Sequence, residues 1–328
     1  MVKRAALALG SGGARGYAHI GVIHELRERG YEVVGVAGSS MGALVGGLFA
    51  AGSLDEFTHW ATSLTGPAML RLLDPSITAA GVFRAGKIFD AVRELLGTVT
   101  IEQLPIPYTA VTTDLIAGRS VWLQRGPLDE AIRASVAIPG VIAPYVVNGR
   151  LLADGGILDP LPLAPVAAAN ADLTVAVSVS GWDIADDGGA ETSPTRERLN
   201  RLRRSTTALL ERWNAGLDPA DAVDPAEVDP QAGDSADREQ GDLADATLVD
   251  IVRDSPIPKL GGFAVMTRTI EIAQAALARH QMAAYPPDVL IEVPRTACRS
   301  LDFHRAAEMI ELGQKLAARA LDRVEGGG

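Results

Sequence analysis

The sequence has few of the residues that several common kinds of site require. It contains one cysteine, Cys298, among 328 residues. A single thiol cannot form an intrachain disulfide or a cysteine-rich metal site, and it favours a reducing compartment. Aromatic residues make up only 5% of the chain, so we expect a core of alanine, valine, leucine and isoleucine.

Long apolar runs are also missing. No stretch approaches the roughly 18 apolar residues that a membrane-spanning helix needs. The short apolar run after Lys3 and Arg4 ends at Gly10, too early for the core of a signal peptide. We therefore expect a cytoplasmic protein, or one that is peripheral to a membrane.

An excess of positive charge is also missing, and the formal net charge of −11 argues against nucleic acid as a partner. Residues 215–254 hold 12 acidic residues and 2 arginines and few large apolar ones, which predicts a mobile segment. Before it, residues 196–214 predict a basic amphipathic helix. That helix would either pack on the domain, or contact a membrane surface or act as a lid. We interpret 182–255 as an insertion in a single domain.

The rest of the chain alternates between apolar strands and helices, which predicts an α/β protein with helices on both faces of a mostly parallel sheet. Strands are predicted at 5–9, 33–37, 107–113, 119–124, 151–153, 173–179 and 288–293. Helices are predicted at 17–29, 41–51, 54–64, 87–96, 128–135, 163–170, 263–284 and 302–324.

The last two helices carry apolar stripes that we interpret as core faces. The first stripe consists of Phe263, Met266, Ile270, Ala273 and Leu277. The second consists of Phe303, Ala307, Ile310, Ala317, Leu321 and Val324.

A glycine-rich loop, Gly10-Ser11-Gly12-Gly13-Ala14-Arg15-Gly16, follows the first strand and precedes a helix. Backbone amides exposed at such a place bind negative charge, either a phosphate or the oxyanion of an acyl-transfer reaction. The dinucleotide pattern G-x-G-x-x-G fails because Arg15 replaces its last glycine, and the next strand ends without an acidic residue. The phosphate-binding P-loop pattern also fails, since no Lys-Ser or Lys-Thr follows.

The second strand leads into Gly38-Ser39-Ser40-Met41-Gly42, followed by a helix. A G-x-S-x-G sequence between a strand and a helix is typical of a nucleophile elbow, with Ser40 as the nucleophile and Gly38 and Gly42 making room for the turn. Later, a short apolar strand ends at Asp154, followed by two glycines. An acid in this place is either a turn residue or, beside the other two motifs, a candidate base.

These three motifs, in this order, resemble those of the patatin-like phospholipase family, and of its small bacterial cytosolic members in particular. The stretches 112–118, 132–144 and 160–163 fit as well, and the resemblance covers about 5–180 and 257–324. It implies a three-layer α/β/α fold and hydrolysis of a lipid or acyl ester without a metal or other cofactor.

The resemblance also implies site residues. Ser40 would be the nucleophile and Asp154 the base of a two-residue catalytic dyad, so that no histidine is needed. Gly12 and Gly13 would form the oxyanion hole, although Ser11 stands where the family usually has the first glycine. Arg15 would support this loop or contact a lipid phosphate.

Two alternatives stay open at this point. One is an α/β-hydrolase with a Ser-Asp-His triad, in which His280 or His304 is the histidine. The other is a lipid-binding or regulatory protein on the same fold with little turnover.

Overall fold

The computed structural model of the protein describes residues 2–66, 68, 86–181 and 262–326. These residues belong to one compact α/β unit, in which the C-terminal segment packs with the part before residue 181. The basic helix predicted at 196–214, the acidic segment predicted at 215–254 and the remainder of the 182–255 insertion lie outside the described residues.

Eight strands form a single sheet, close to where the sequence predicts them. They are β1 (Arg4–Leu9), β2 (Glu32–Ser39), β3 (Tyr108–Asp114), β4 (Arg119–Leu123), β5 (Tyr145–Val147), β6 (Arg150–Asp154), β7 (Leu173–Gly181) and β8 (Val289–Pro294). The sequence analysis did not predict β5, which has only three residues.

Seven α-helices are described. They are α1 (Ala18–Glu28), α2 (Met41–Ala50), α3 (Leu54–Ser63), α4 (Gly86–Leu96), α5 (Leu128–Ser135), α6 (Gly262–Ala284) and α7 (Ala306–Gly326). Within the described ranges, no helix is both long enough and apolar enough to cross a membrane.

The sheet is mostly parallel, and its strands are connected by pairing in the order β5-β6-β3-β2-β1-β7-β8. Strands β2 and β6 pair with successive parts of one edge of β3, and β4 pairs with the other edge. The neighbours from β3 through β2, β1 and β7 to β8 are parallel, whereas β4, β5 and β6 join by antiparallel pairing. The antiparallel strands come from hairpins, in which short turns reverse the chain.

The sheet is covered on both faces, which confirms the three-layer α/β/α fold. Alternate side chains of β1 enter different cores, because successive residues of a strand point to opposite faces. Ala5, Leu7 and Leu9 belong to the larger apolar cluster, which includes residues of α1, α2 and α7. Ala6 and Ala8 belong to the smaller one, together with residues of α6 and of 161–166.

The helix predicted at 163–170 is wrong. Only a single 3-10 turn forms, at Ala164–Val166, with Pro165 at its start. A proline lacks an amide donor and clashes with the preceding turn. A helix that began before Pro162 or Pro165 therefore could not continue past these residues. The few residues that remain before the next strand are too short to form a helix alone.

The core face predicted for α6 is also wrong in part. The structure buries Ala275 and Ala278, whereas Met266 is exposed. Ala278 packs near Ala6 and Ala8 of β1, so small residues on both sides let the helix approach the sheet. In α7 the predicted stripe holds at Ala317 and Leu321, and the first half shifts by one position. The buried residues of α7 are Ala306, Met309, Gly313, Ala317 and Leu321.

Helices α1 and α7 cross at very short distance through two glycines. A Cβ added to Gly313 would lie 2.0 Å from the Ala18 carbonyl oxygen, and one added to Gly21 would lie 2.0 Å from the Ile310 carbonyl oxygen. No side chain fits at such distances unless the helices move apart. The contact ties the end of the chain to the first helix after the glycine-rich loop.

We expect Gly313→Ala to lower the free energy of unfolding by about 1–3 kcal/mol, as overpacking does in other cores. Alanine normally favours a helix over glycine by about 1 kcal/mol, so a loss would report the steric clash alone. Gly326→Ala, in the same helix but with nothing within 4 Å of its added Cβ, is the control. Urea unfolding of both variants measures the difference, and an unchanged Gly313→Ala protein would contradict the close crossing.

Candidate active site

The register of β3 brings the ends of two strands together. β2 runs parallel to β3 and ends with Ser39 opposite Val111. β6 runs antiparallel to β3 and ends with Asp154 opposite Thr112. Since β4 occupies the other edge of β3 over the same residues, β2 and β6 share one edge and arrive from opposite directions.

Ser40 follows β2 directly and has the backbone conformation of a tight elbow. Its φ of 56° and ψ of −122° are unfavourable for a residue with a side chain and cost about 1–3 kcal/mol. A Cβ on Gly38 would lie 2.2 Å from the Gly42 carbonyl oxygen, and one on Gly42 would lie 2.1 Å from the Leu9 carbonyl oxygen. Both predicted elbow glycines therefore stand where no side chain fits.

The Ser40 and Asp154 side chains meet in a direct hydrogen bond. The Ser40 hydroxyl donates to Oδ2 of Asp154 at 2.5 Å, and the Gly156 amide donates to Oδ1 at 2.6 Å. Ser40 is 2% exposed and Asp154 is 3% exposed. The two residues that the sequence singled out separately, 114 positions apart, are thus brought into contact.

Burial governs the ionisation of this carboxyl. It raises the pKa of Asp154 to about 6, against the opposing effect of hydrogen bonds from Ser40, Gly156 and Ser11. Low-dielectric surroundings disfavour the charged form, whereas donors to the carboxylate favour it. Asp154 is therefore a stronger base than an ordinary aspartate and is still ionised at neutral pH.

Three other polar side chains support the pair, and the sequence analysis did not assign roles to them. The Ser40 amide donates to Oγ of Ser135 at 3.0 Å, and the Ser135 hydroxyl donates to the Val111 carbonyl at 2.6 Å. The Thr113 hydroxyl donates to the Asp154 carbonyl at 2.9 Å. Ser135 and Thr113 lie in the stretches 132–144 and 112–118 that fit the family resemblance, which was the only signal for them.

Ser11 is the third of these side chains. It is buried, and its hydroxyl is the weakest of the three donors that lower the pKa of Asp154. The residue that departs from the usual glycine pattern therefore lies beside the carboxylate. The same hydroxyl oxygen lies 2.3 Å from where a Cβ on Gly156 would be.

The glycine-rich loop leaves two amides uncommitted. The amides of Gly10, Ser11 and Ala14 donate to backbone carbonyls of Val177, Pro160 and Ser300, at 3.0, 2.8 and 2.8 Å. Within the described part of the chain, the amides of Gly12 and Gly13 have no such acceptor. An added Cβ would lie 2.0 Å from Val179 Cγ2 at Gly12 and 2.3 Å from the Ser300 carbonyl oxygen at Gly13.

Arg15 is buried and its guanidinium is held by several partners. Nη2 lies 2.7 Å from Oε1 of Glu271 and donates to the Ser300 hydroxyl oxygen at 2.9 Å. Nε donates to the Gly12 carbonyl at 3.4 Å. These contacts connect the loop to α6 and to the segment before α7.

All five histidines lie in the described residues, and none has a hydrogen bond to Ser40 or Asp154. His19 is fully buried, and its Nε2 is 2.8 Å from the Gly10 carbonyl oxygen, which fits a neutral ring that donates there. Burial lowers the pKa of His19 to about 4. His280 and His304, the candidates for a triad, are both exposed.

No group of three or more histidine, cysteine, aspartate or glutamate side chains that could hold a metal ion occurs within the described ranges.

Around the dyad, the Asp154 amide donates to the Ala137 carbonyl at 3.0 Å. Ala137 therefore lies beside the candidate site.

Replacement of Asp154 by asparagine should stabilise the fold at alkaline pH. The folded carboxyl binds its proton more tightly than the unfolded one, whose pKa is 3.8. Its stabilising contribution is therefore fully present below pH 3.8 and is lost as the pH rises through about 6. At 1.36 kcal/mol per pKa unit, we expect a gain of about 2–3 kcal/mol near pH 8 that fades near pH 4.

The control is Asp114→Asn. Amides of Ala117 and Ile116 donate to the Asp114 carboxylate and lower its pKa, so this variant should lose stability at alkaline pH. Thermal unfolding of both variants across this pH range tests the sign. A destabilised Asp154→Asn protein near pH 8 would mean that burial does not govern the carboxyl.

Comparison with known proteins places the chain in a family. The profile of the family described as "Patatin-like phospholipase" matches residues 7–167. An uncharacterized NTE family protein of Mycobacterium tuberculosis (strain ATCC 25618 / H37Rv) is 60% identical over 343 residues, 98% of this chain and 92% of the relative.

More distant relatives are much longer proteins. The "Lysophospholipase NTE1" of Mycosarcoma maydis is 34% identical over 227 residues, 65% of this chain and 11% of that protein. "Patatin-like phospholipase domain-containing protein 6" of Mus musculus is 32% identical over 188 residues, 55% of this chain and 14% of that protein. Among solved structures, VipD from Legionella pneumophila matches with a TM-score of 0.43 and 15% identity, over 98% of this chain and 67% of that one. The chain belongs to the NTE family of patatin-like phospholipases.

Proposed function

We propose that the protein is a serine-dependent lipid acyl hydrolase in which Ser40 and Asp154 act as a catalytic dyad. The observation that carries this proposal is the hydrogen bond from the buried Ser40 hydroxyl to the Asp154 carboxylate. Family membership supports hydrolysis of a lipid, and the name of the Mycosarcoma maydis relative, a lysophospholipase, favours a lysophospholipid or a related acyl ester.

In the first half of the reaction, Ser40 Oγ attacks the ester carbonyl carbon while Asp154 takes the hydroxyl proton. The carbonyl oxygen becomes an oxyanion, and the uncommitted amides of Gly12 and Gly13 donate to it. When the intermediate collapses, the bond to the leaving alcohol breaks and Asp154 returns the proton to that oxygen. The acyl group remains on Ser40.

In the second half, a water molecule attacks the acyl carbonyl carbon and gives a proton to Asp154. A second oxyanion forms on the same amides, the bond to Oγ breaks, and Asp154 returns the proton to Ser40. The fatty acid leaves and the dyad is restored. Each proton that Asp154 accepts is given back within the same half-reaction, so no histidine and no metal is required by this scheme.

Two features make a carboxylate adequate as the base. Its raised pKa, about 6, is closer to neutrality, where general base catalysis is most effective. Ser40 also stands at the N-terminus of α2, where the helix dipole favours negative charge on the attacking oxygen.

For Arg15 we propose loop support. Its bonds to Glu271, Ser300 and the Gly12 carbonyl hold the backbone next to the proposed oxyanion hole. A role in binding lipid phosphate would require these contacts to break. The exposed positions of His280 and His304 likewise give no support to the triad alternative.

Replacement of the nucleophile should abolish turnover. We expect Ser40→Ala to lower the rate of p-nitrophenyl butyrate hydrolysis by at least about a thousandfold, since no other group can carry the acyl intermediate. Covalent labelling by a fluorophosphonate should disappear as well. Ser39→Ala is the matched control, because Ser39 is equally buried and its Oγ has no partner among the described residues. Activity that survives in Ser40→Ala would refute the proposal.

The pH profile should show a single acidic limb that belongs to Asp154. We expect kcat/KM to rise about tenfold per pH unit below a midpoint of about 6 and then level off. Asp154→Asn should lose about three orders of magnitude or more, as loss of an essential base does. His280→Ala and His304→Ala should keep the wild-type profile, and a limb that moves or vanishes in either would favour a triad.

A further inference from the structure

Two hairpin turns lie side by side at one end of the sheet. The β3–β4 turn, 115–118, follows the end of β3, and the β5–β6 turn, 148–149, precedes the start of β6. The Leu115 amide donates to the Leu151 carbonyl at 3.0 Å, so the chain stays paired up to the first turn. We call the residues Leu115, Ile116, Arg119, Val146 and Arg150 the paired-hairpin surface.

The apolar members of this surface are in contact with solvent. Ile116 is 82% exposed, Val146 is 59% exposed and Leu115 is 42% exposed. Single exposed apolar side chains are common, whereas contiguous ones mark interaction sites. The register places Val146 opposite Leu151, and the Leu151 carbonyl accepts the hydrogen bond of the Leu115 amide. Val146 and Leu115 are therefore the two cross-strand neighbours of Leu151.

The basic members lie at the same turns. Arg119 begins β4 and Arg150 begins β6. Both are exposed, and within the described part of the chain neither has a carboxylate oxygen within 4 Å. The nearby Asp114 carboxylate accepts hydrogen bonds from the amides of Ile116 and Ala117, and the charges of Arg150 and Arg119 also act on it from a longer distance. The two arginines also line one groove of about 400 Å³, together with Ser120, Val121 and Trp122.

The surface is close to the dyad and rigidly connected to it. Thr112 of β3 faces Asp154, and Ile116 follows four positions later on the same chain. At about 3.3 Å per residue, four residues place the hairpin tip at most about 13 Å beyond the dyad along the strand. The tip therefore projects from the end of the sheet at which the Ser40 elbow also lies, where β2 and β3 have their C-terminal ends.

We propose that the paired-hairpin surface docks the protein on a lipid bilayer that contains anionic phospholipids. Ile116, Leu115 and Val146 enter the boundary between head groups and acyl chains, while Arg119 and Arg150 contact lipid phosphates. Exposed apolar side chains flanked by exposed arginines match this chemistry. The inference rests on the proposed function only in that the substrate is a lipid, and a second copy of the chain on this surface is an outcome that the test detects.

The test is co-sedimentation of the full chain with two kinds of vesicle. One consists of phosphatidylcholine alone, and the other of equal parts of phosphatidylcholine and phosphatidylglycerol. We expect binding to the mixed vesicles and much weaker binding to phosphatidylcholine alone. Ile116→Asp should weaken binding to the mixed vesicles about tenfold or more, since it replaces an inserted apolar side chain by a charge.

The basic arm uses Arg119→Gln with Arg150→Gln. Each arginine near an anionic surface contributes about fivefold in affinity, so the double variant should lose preference for the mixed vesicles. The matched control is Val2→Asp. Val2 is 63% exposed and precedes β1, at the opposite edge of the sheet, so this variant should bind as the wild type does.

Hydrolysis of soluble p-nitrophenyl butyrate separates this inference from the proposed function. Variants that keep this activity but lose vesicle binding support the docking surface. A wild type that hydrolyses the soluble ester but does not sediment, or an Ile116→Asp variant that binds normally, overturns it. If the wild type is an oligomer and the Ile116→Asp variant is a monomer, the surface binds a second copy of the chain. That result overturns the proposal too. Absence of Ser40-dependent hydrolysis would contradict the proposed function. The sedimentation result would still test the docking surface.

Discussion

The candidate site depends on the hydrogen-bond register of β3. One edge of this strand pairs first with parallel β2 and then with antiparallel β6, and the change occurs between Val111 and Thr112. The ends of β2 and β6 must therefore meet. A shift of β6 by one residue would turn the Asp154 side chain to the other face of the sheet. The geometry of the proposed dyad is thus a property of the sheet, and it needs no flexible loop to assemble.

This arrangement concentrates unfavourable terms in a few residues. Ser40 adopts a positive φ, and Asp154 is a carboxyl in a place that disfavours its charge. Both conditions are costly in stability. They are tolerated because the surrounding strands and helices bury an extensive apolar core. These costs hold the Ser40 hydroxyl against the Asp154 carboxylate and keep the pKa of that carboxyl at about 6.

The sequence allowed most strands and most helices to be predicted, and it pointed to Ser40 and Asp154, because each carries a local pattern. Ser40 lies in a G-x-S-x-G turn and Asp154 precedes two glycines. Ser135 had no such pattern, since its role arises from a hydrogen bond to a residue 95 positions away. The buried face of α6 was missed for a similar reason. The spacing of large apolar residues in a helix does not show that the sheet below it is lined with alanines.

The same strand that aligns the dyad also carries the exposed β3–β4 turn, and this connection has a mechanical consequence. β3 is buried along its whole length and is paired on both edges, so the distance from Thr112 to the turn cannot vary much. A lipid surface in contact with that turn would be held at a nearly constant depth relative to Ser40. An ester group close to the interface could then reach the nucleophile by a short displacement, whereas bonds deep in the acyl region could not. If the surface docks as proposed, the length of one strand would select which part of a lipid is cleaved.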